Sequence, residues 1–123
     1  MLGRLTEESA QALVEVVRHP SRPLVQVRAI GGAANDIALE ATAYVHRAAE
    51  VLVTVTAFPP QGSHELHAAT RPLWGHAIGA YRNFESRPSA ETFDRAFPGA
   101  TGERVRDLAQ KYDPAGILRR SQT

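Results

Sequence analysis

The chain has 123 residues, 43% of them apolar and 22% charged, with a formal net charge of +1 and no cysteine. A chain of this size buries a sizeable core and sits far from the composition of disordered segments, so residues 1–123 read as one folded domain. The near-neutral charge spreads thirteen arginines and one lysine along the chain, which argues against a nucleic-acid surface, and the lack of cysteine removes disulfides, thiolate ligands and thiol nucleophiles together.

Thr6 is positioned as an N-cap, with Glu7 and Glu8 at the positive end of a helix dipole and Ala10, Leu13, Val14 and Val17 expected on its apolar face. Pro20 and Pro23 end that helix. The alternation of Val25, Val27 and Ala29 with Gln26 and Arg28 then predicts a half-buried strand over 24–30. Gly31-Gly32 closes it, and Thr42, Tyr44 and Val45 predict a short second strand over 41–46. From Val51 to Phe58 the pattern is again that of a strand, stopped by Pro59-Pro60.

Ser63 is a candidate cap for a helix through Leu66, Ala69, Leu73 and Trp74, which Pro72 should kink or divide. Residues 79–84 read as extended, and two further helices begin at Ser89 and Thr101, the last ending at Asp113-Pro114. Helices flanking strands joined by short connections give an α+β fold, with a small antiparallel sheet of about three to four strands. Open sheet edges invite pairing, so a homo-oligomer, in its simplest form a dimer, is expected. The N-terminal residues lack the apolar stretch of a signal peptide and no run reaches the ~20 apolar residues of a membrane helix, which makes the cytoplasm the expected compartment and a membrane partner unexpected.

Few constellations carry chemistry. His64 and His67 share a helix face, but a zinc site wants further ligands, and a solvent-facing role suits them better; no metal site is assigned. Nucleophile-elbow, dinucleotide and P-loop patterns are absent. His46, at the end of an expected strand, could line a pocket or serve a hydrogen-bonded structural role. Tyr81 and Asn83, two apart on an extended segment, would point to one side and offer a phenol and a carboxamide to a planar polar ligand; a tyrosine at a sheet edge with asparagine in a turn is the plainer reading. Arg119-Arg120 reads as a solvated tail.

Four segments change that weighting. Val25-Gln-Val-Arg-Ala-Ile-Gly-Gly-Ala33, Ala41-Thr-Ala-Tyr-Val-His-Arg47, Gly79-Ala-Tyr-Arg-Asn-Phe84, and Ala96-Phe-Pro-Gly-Ala100 with Glu103-Arg104 and Lys111-Tyr-Asp-Pro114 resemble, in order and spacing, the C-terminal region of berberine-bridge-enzyme-like FAD-linked oxidoreductases of the vanillyl-alcohol oxidase type. The resemblance implies that residues 24–58 supply part of a substrate-domain sheet. It implies further that 79–84 return toward the flavin, with Tyr81 and Asn83 as FAD contacts and Tyr81 and His46 on the substrate side, and that the helix from Thr101 and the Tyr112-Asp113-Pro114 turn pack on the FAD domain. No catalytic base is assigned within the chain.

The sequence departs from the family after Tyr-Asp-Pro, where an Asn and a Phe are usual and Ala115-Gly116-Ile117-Leu118 stands here. It also has no counterpart of the family's Gly-rich pyrophosphate loop or flavin-linking histidine. The expectation is therefore a C-terminal part or small subunit of an FAD-dependent oxidoreductase acting on a small alcohol or amine, inactive alone and needing a flavin-binding domain or subunit as partner. The competing expectation is a free-standing, non-catalytic α+β module that self-associates or binds a small ligand.

Overall fold

A computed structural model describes residues 1–87 and 89–117; Leu118 and the Arg119-Arg120 pair lie outside the described residues. The described chain is α+β: helices α1 (Glu7–Arg18), α2 (Ser63–Thr70), α3 (Ala90–Ala96) and α4 (Ala100–Tyr112), and an antiparallel pair of strands, β1 (Leu24–Ala29) and β2 (Val51–Thr56). Two compact units divide it. The first comprises Met1–Gly31 and Ala48–Ile78, the second Gly32–Arg47 and the described residues from Gly79 onward.

In the first unit, α1 starts at a reciprocal cap. The Ser9 amide donates to Thr6 Oγ1 at 3.2 Å, and the Thr6 amide donates to Ser9 Oγ at 2.8 Å. Two amides that the helix leaves unbonded are thereby satisfied. The buried face is Ser9, Ala12, Leu13 and Val16, whereas Val14 and Val17 are exposed. The apolar face is thus rotated from the expected one, because two small residues, Ser9 and Ala12, let α1 approach the segment Arg71–His76 closely. Its core partners are Leu73 and, from the strands, Val25, Val53 and Val55.

β1 pairs with β2 over its full length, Leu24 opposite Thr56 and Ala29 opposite Val51. Beyond β2, Leu2 bridges to both Val51 and Ala77, so hydrogen bonding continues past the second strand at one end. The expected burial alternation of β1 reduces to a single half-buried residue, Val25. Pro72 does divide the next helix: α2 stops at Thr70, and a 3₁₀ segment, Arg71–His76, follows. The cap of α2 is Gly62, whose amide donates to Glu65 Oε2 at 2.9 Å, rather than Ser63.

The second unit holds α3 and α4 but neither of the two further strands expected there. Over 41–46 the chain bends, because Thr42 Oγ1 accepts from the Tyr44 amide at 3.2 Å and competes with any ladder. At 79–84, Tyr81 is extended, but a 3₁₀ turn, Arg82–Phe84, follows at once. Ser89 caps α3 as expected, accepting from the Thr92 amide at 3.1 Å. Phe93 and Ala96 are its buried residues; Arg106 of α4 bonds Asp94 at 2.6 Å and lies over the Phe93 ring at 4.4 Å. After α4, buried Asp113 accepts from the Ile117 amide at 2.8 Å, which closes the turn. No helix among the described residues is long and apolar enough to cross a membrane.

Candidate functional site

His46, Tyr81 and Asn83, the site residues expected from the sequence, all lie within the second unit. His46 is 8% exposed, and its Nε2 lies 3.2 Å from the Ala96 carbonyl oxygen, fifty residues away in the chain. A carbonyl only accepts, which assigns the proton to Nε2. The ring rests on the backbone of Gly79: a Cβ at that position would fall 2.0 Å from His46 Cε1. Glycine is therefore required at 79 by close approach. Burial holds the His46 pKa below its ordinary 6.5, against the opposing pull of the Ala96 and Arg95 carbonyls, so the ring is neutral near neutral pH.

Tyr44, two residues before His46, joins the histidine to the expected flavin-facing segment. Its ring meets His46 edge-on, with centroids 6.2 Å apart, and meets Tyr81 edge-on at 5.9 Å. The Arg47 guanidinium lies over the Tyr44 ring at 4.7 Å, donating from Nη1 to the Ala34 carbonyl and from Nη2 to Thr42 Oγ1, both at 2.6 Å. Arg47 Nε is buried without a partner. One cation thus fixes the backbone bend and one face of the ring, which explains how a segment without ladder bonds still presents a defined side chain.

Tyr81 and Asn83 do come to one side, by a route other than the extended strand expected. The turn after Tyr81 swings Asn83 back so that its Nδ2 donates to the Tyr81 hydroxyl at 3.0 Å. Phe84 packs beside them, its centroid 5.6 Å from that of Tyr81, and Asn83 and Phe84 are exposed while Tyr44 and Tyr81 are half-buried. As acceptor from Asn83, the Tyr81 oxygen keeps its own proton to donate. The array offers aromatic faces beside a phenol and a carboxamide, which suits orienting a planar polar molecule; proton abstraction has no evident agent, since His46 is buried and committed to Ala96.

Sequence reasoning missed Tyr44, Arg47 and Phe84. The alternation of Tyr44 with His46 was a usable signal, whereas the contact of Arg47 with Thr42 becomes visible only once the chain bends. His64 and His67, to which no metal site is assigned, lie in the first unit, where His67 packs edge-on to Trp74 with centroids 4.2 Å apart. Among the described residues no three His, Asp or Glu side chains gather as a metal set. The first unit also carries a shallow groove lined by Glu7, Glu8, Gln11, Glu15, Pro72 and His76. It contains none of the expected site residues. In comparisons with known proteins, no family model and no curated protein matches this chain.

Proposed function

We propose that this chain is the C-terminal part, or a small subunit, of an FAD-dependent oxidoreductase that oxidises a small alcohol or amine, and that it is inactive without a flavin-bearing domain or subunit. One observation carries the reading: three segments of the resemblance, distant in sequence, meet in the second unit. His46 of the second segment contacts Gly79 of the third and Ala96 of the fourth, and Tyr44 contacts Tyr81.

The residues fit part of a flavin. Tyr81 and Asn83, with the Tyr44 ring behind them, would hold the edge of the isoalloxazine, and Tyr81 would also face the substrate. His46 reaches the substrate side only through Tyr44, whose ring it supports. When bound, the flavin supplies the hydride acceptor, which no side chain here can provide. The pyrophosphate falls to the partner, because the family's Gly-rich loop has no counterpart in this sequence. The apolar stripe of α4 supports a partner of that kind, with Leu108 43% and Tyr112 72% exposed. The reducing cytoplasm is the compartment proposed, on the lack of cysteine.

The test begins with the purified chain and free FAD. After unbound cofactor is removed, the chain alone should be colourless; retained flavin bands would overturn the division of the site between two polypeptides. Mixed with a flavoprotein encoded beside it, the chain should restore bleaching of the flavin by substrate, and Asn83→Ala should slow that bleaching roughly tenfold, the usual scale for one orienting hydrogen bond. Bleaching that proceeds equally without the chain would sink the proposal.

A further inference from the structure

We infer that β1 is the seam of a twofold dimer, in which the β1 edges of two copies pair antiparallel, centred on Val27, into one four-stranded sheet. The inference stands apart from the flavin reading and rests on the first unit alone. The Ile30 amide donates to the Glu50 carbonyl at 2.9 Å, one step beyond the β1–β2 register. Antiparallel pairs alternate between bonded and unbonded, so Leu24, Gln26 and Arg28 turn their backbone groups toward β2, and Val25, Val27 and Ala29 turn theirs outward. Among the described residues, no backbone bond is made on that outer side of β1.

The outward residues must be the bonded pairs of any twofold ladder, and three such registers, centred on Gln26, Val27 and Arg28, overlap most of the strand. Centring on Gln26 sets Pro23 opposite Ala29, where proline has no amide to give. Centring on Arg28 sets two arginines face to face, a destabilising like-charge pair. Centring on Val27 sets Val27 against its own copy, Val25 against Ala29 and Gln26 against Arg28. The last pair is a carboxamide opposite a guanidinium, two groups already 3.4 Å apart within one chain, Arg28 Nη2 donating to Gln26 Oε1. The strand is therefore self-complementary in one register.

The apolar surface lies on the same side. The Glu8 and Glu15 flank of α1 shares its groove with Pro72 and His76, next to Ala77, whose bridge to Leu2 places it beyond β2. The opposite flank of α1, toward β1, carries Val17, and Val17 and Val27 are 56% and 52% exposed. In the paired sheet they bring apolar area to a seam that backbone bonds alone would make too small for a stable dimer. The occupant favoured is a second copy, because the register rules match β1 to itself.

Sedimentation of the full chain across concentration tests this. The mass should rise from 13.4 kDa toward twice that value. Gln26 is exposed and points away from α1, so its variants should fold, as far-ultraviolet circular dichroism would verify. Gln26→Glu places a carboxylate across from Arg28 twice per dimer and should tighten association roughly three- to tenfold; Gln26→Arg should weaken it by a similar factor. A chain that stays monomeric at every concentration overturns the inference, as does a dimer unmoved by both variants, or one weakened by Gln26→Glu, which would mark the register centred on Gln26.

Discussion

Each of the two units is built on its own kind of contact. In the first, a strand ladder and a capped helix bury aliphatic residues, with Val16 fully enclosed and Leu13, Leu73 and Val25 around it. In the second, side chains bond backbone: His46 to Ala96 and Arg47 to Ala34 across long stretches of chain, and Asp113 to Ile117 within one turn. The first unit is stabilised mainly by the apolar area it removes from water, the second by specific polar and ring contacts. Such contacts are directional, and a region built from them presents the aromatic and amide groups that an aliphatic core would hide.

That contrast can be broken from either side. The largest effect should come from Val16→Asp, which buries an unpaired carboxylate among aliphatic residues and should cost roughly 4 kcal/mol or more, close to the whole stability of a small domain. Thermal melting followed by circular dichroism should show the first transition lost; a melting curve like the parent's would mean that α1 does not form the core described. Next, Gly79→Ala should cost about 2 kcal/mol by forcing a methyl into the His46 ring. Adding His46→Ala should recover part of that loss, because the obstacle is then gone. A double variant as unstable as the sum of both single changes would show that the contact is not the cause.

The smallest effect is in pH. His46 titrates below its ordinary value when folded, so the unfolded chain takes up its proton first as pH falls. Its contribution is fully present above about 6.5 and declines as pH drops through that value toward the lower folded pKa. Stability measured between neutral and mildly acidic pH should therefore slope downward toward acid, less steeply in His46→Ala. An unchanged slope in the variant would remove His46 from the account.

The same contrast decides what could be read from the sequence. Cap residues, proline breaks and β2 depend on nearest neighbours, and Thr6, Pro72, Ser89 and Val51 act where they were expected to act. The strands expected at 41–46 and 79–84 do not form, since Thr42 and Arg47 offer the backbone other bonds and Arg82 begins a 3₁₀ turn. The buried face of α1 was misplaced because apolar character pointed to Val14 and Val17, while closeness of approach selected Ser9 and Ala12. Tyr81 and Asn83 were legible as a pair from their spacing. Their setting was not, because Tyr44 reaches Tyr81 only through the folded chain.

The route of the polypeptide through the two units has a consequence for the order of synthesis. Every residue of the first unit has been joined to the chain once Ile78 is added, so the sequence of α1, the β1–β2 ladder and the Leu2 bridges is complete by then. Tyr44 and His46 are made early, on the excursion between β1 and β2, but Gly79, Tyr81 and Ala96 come later. The aromatic array thus has all its residues only after the first unit does, and a chain terminated at residue 78 would have every residue of the first unit but not the surface proposed to meet the flavin.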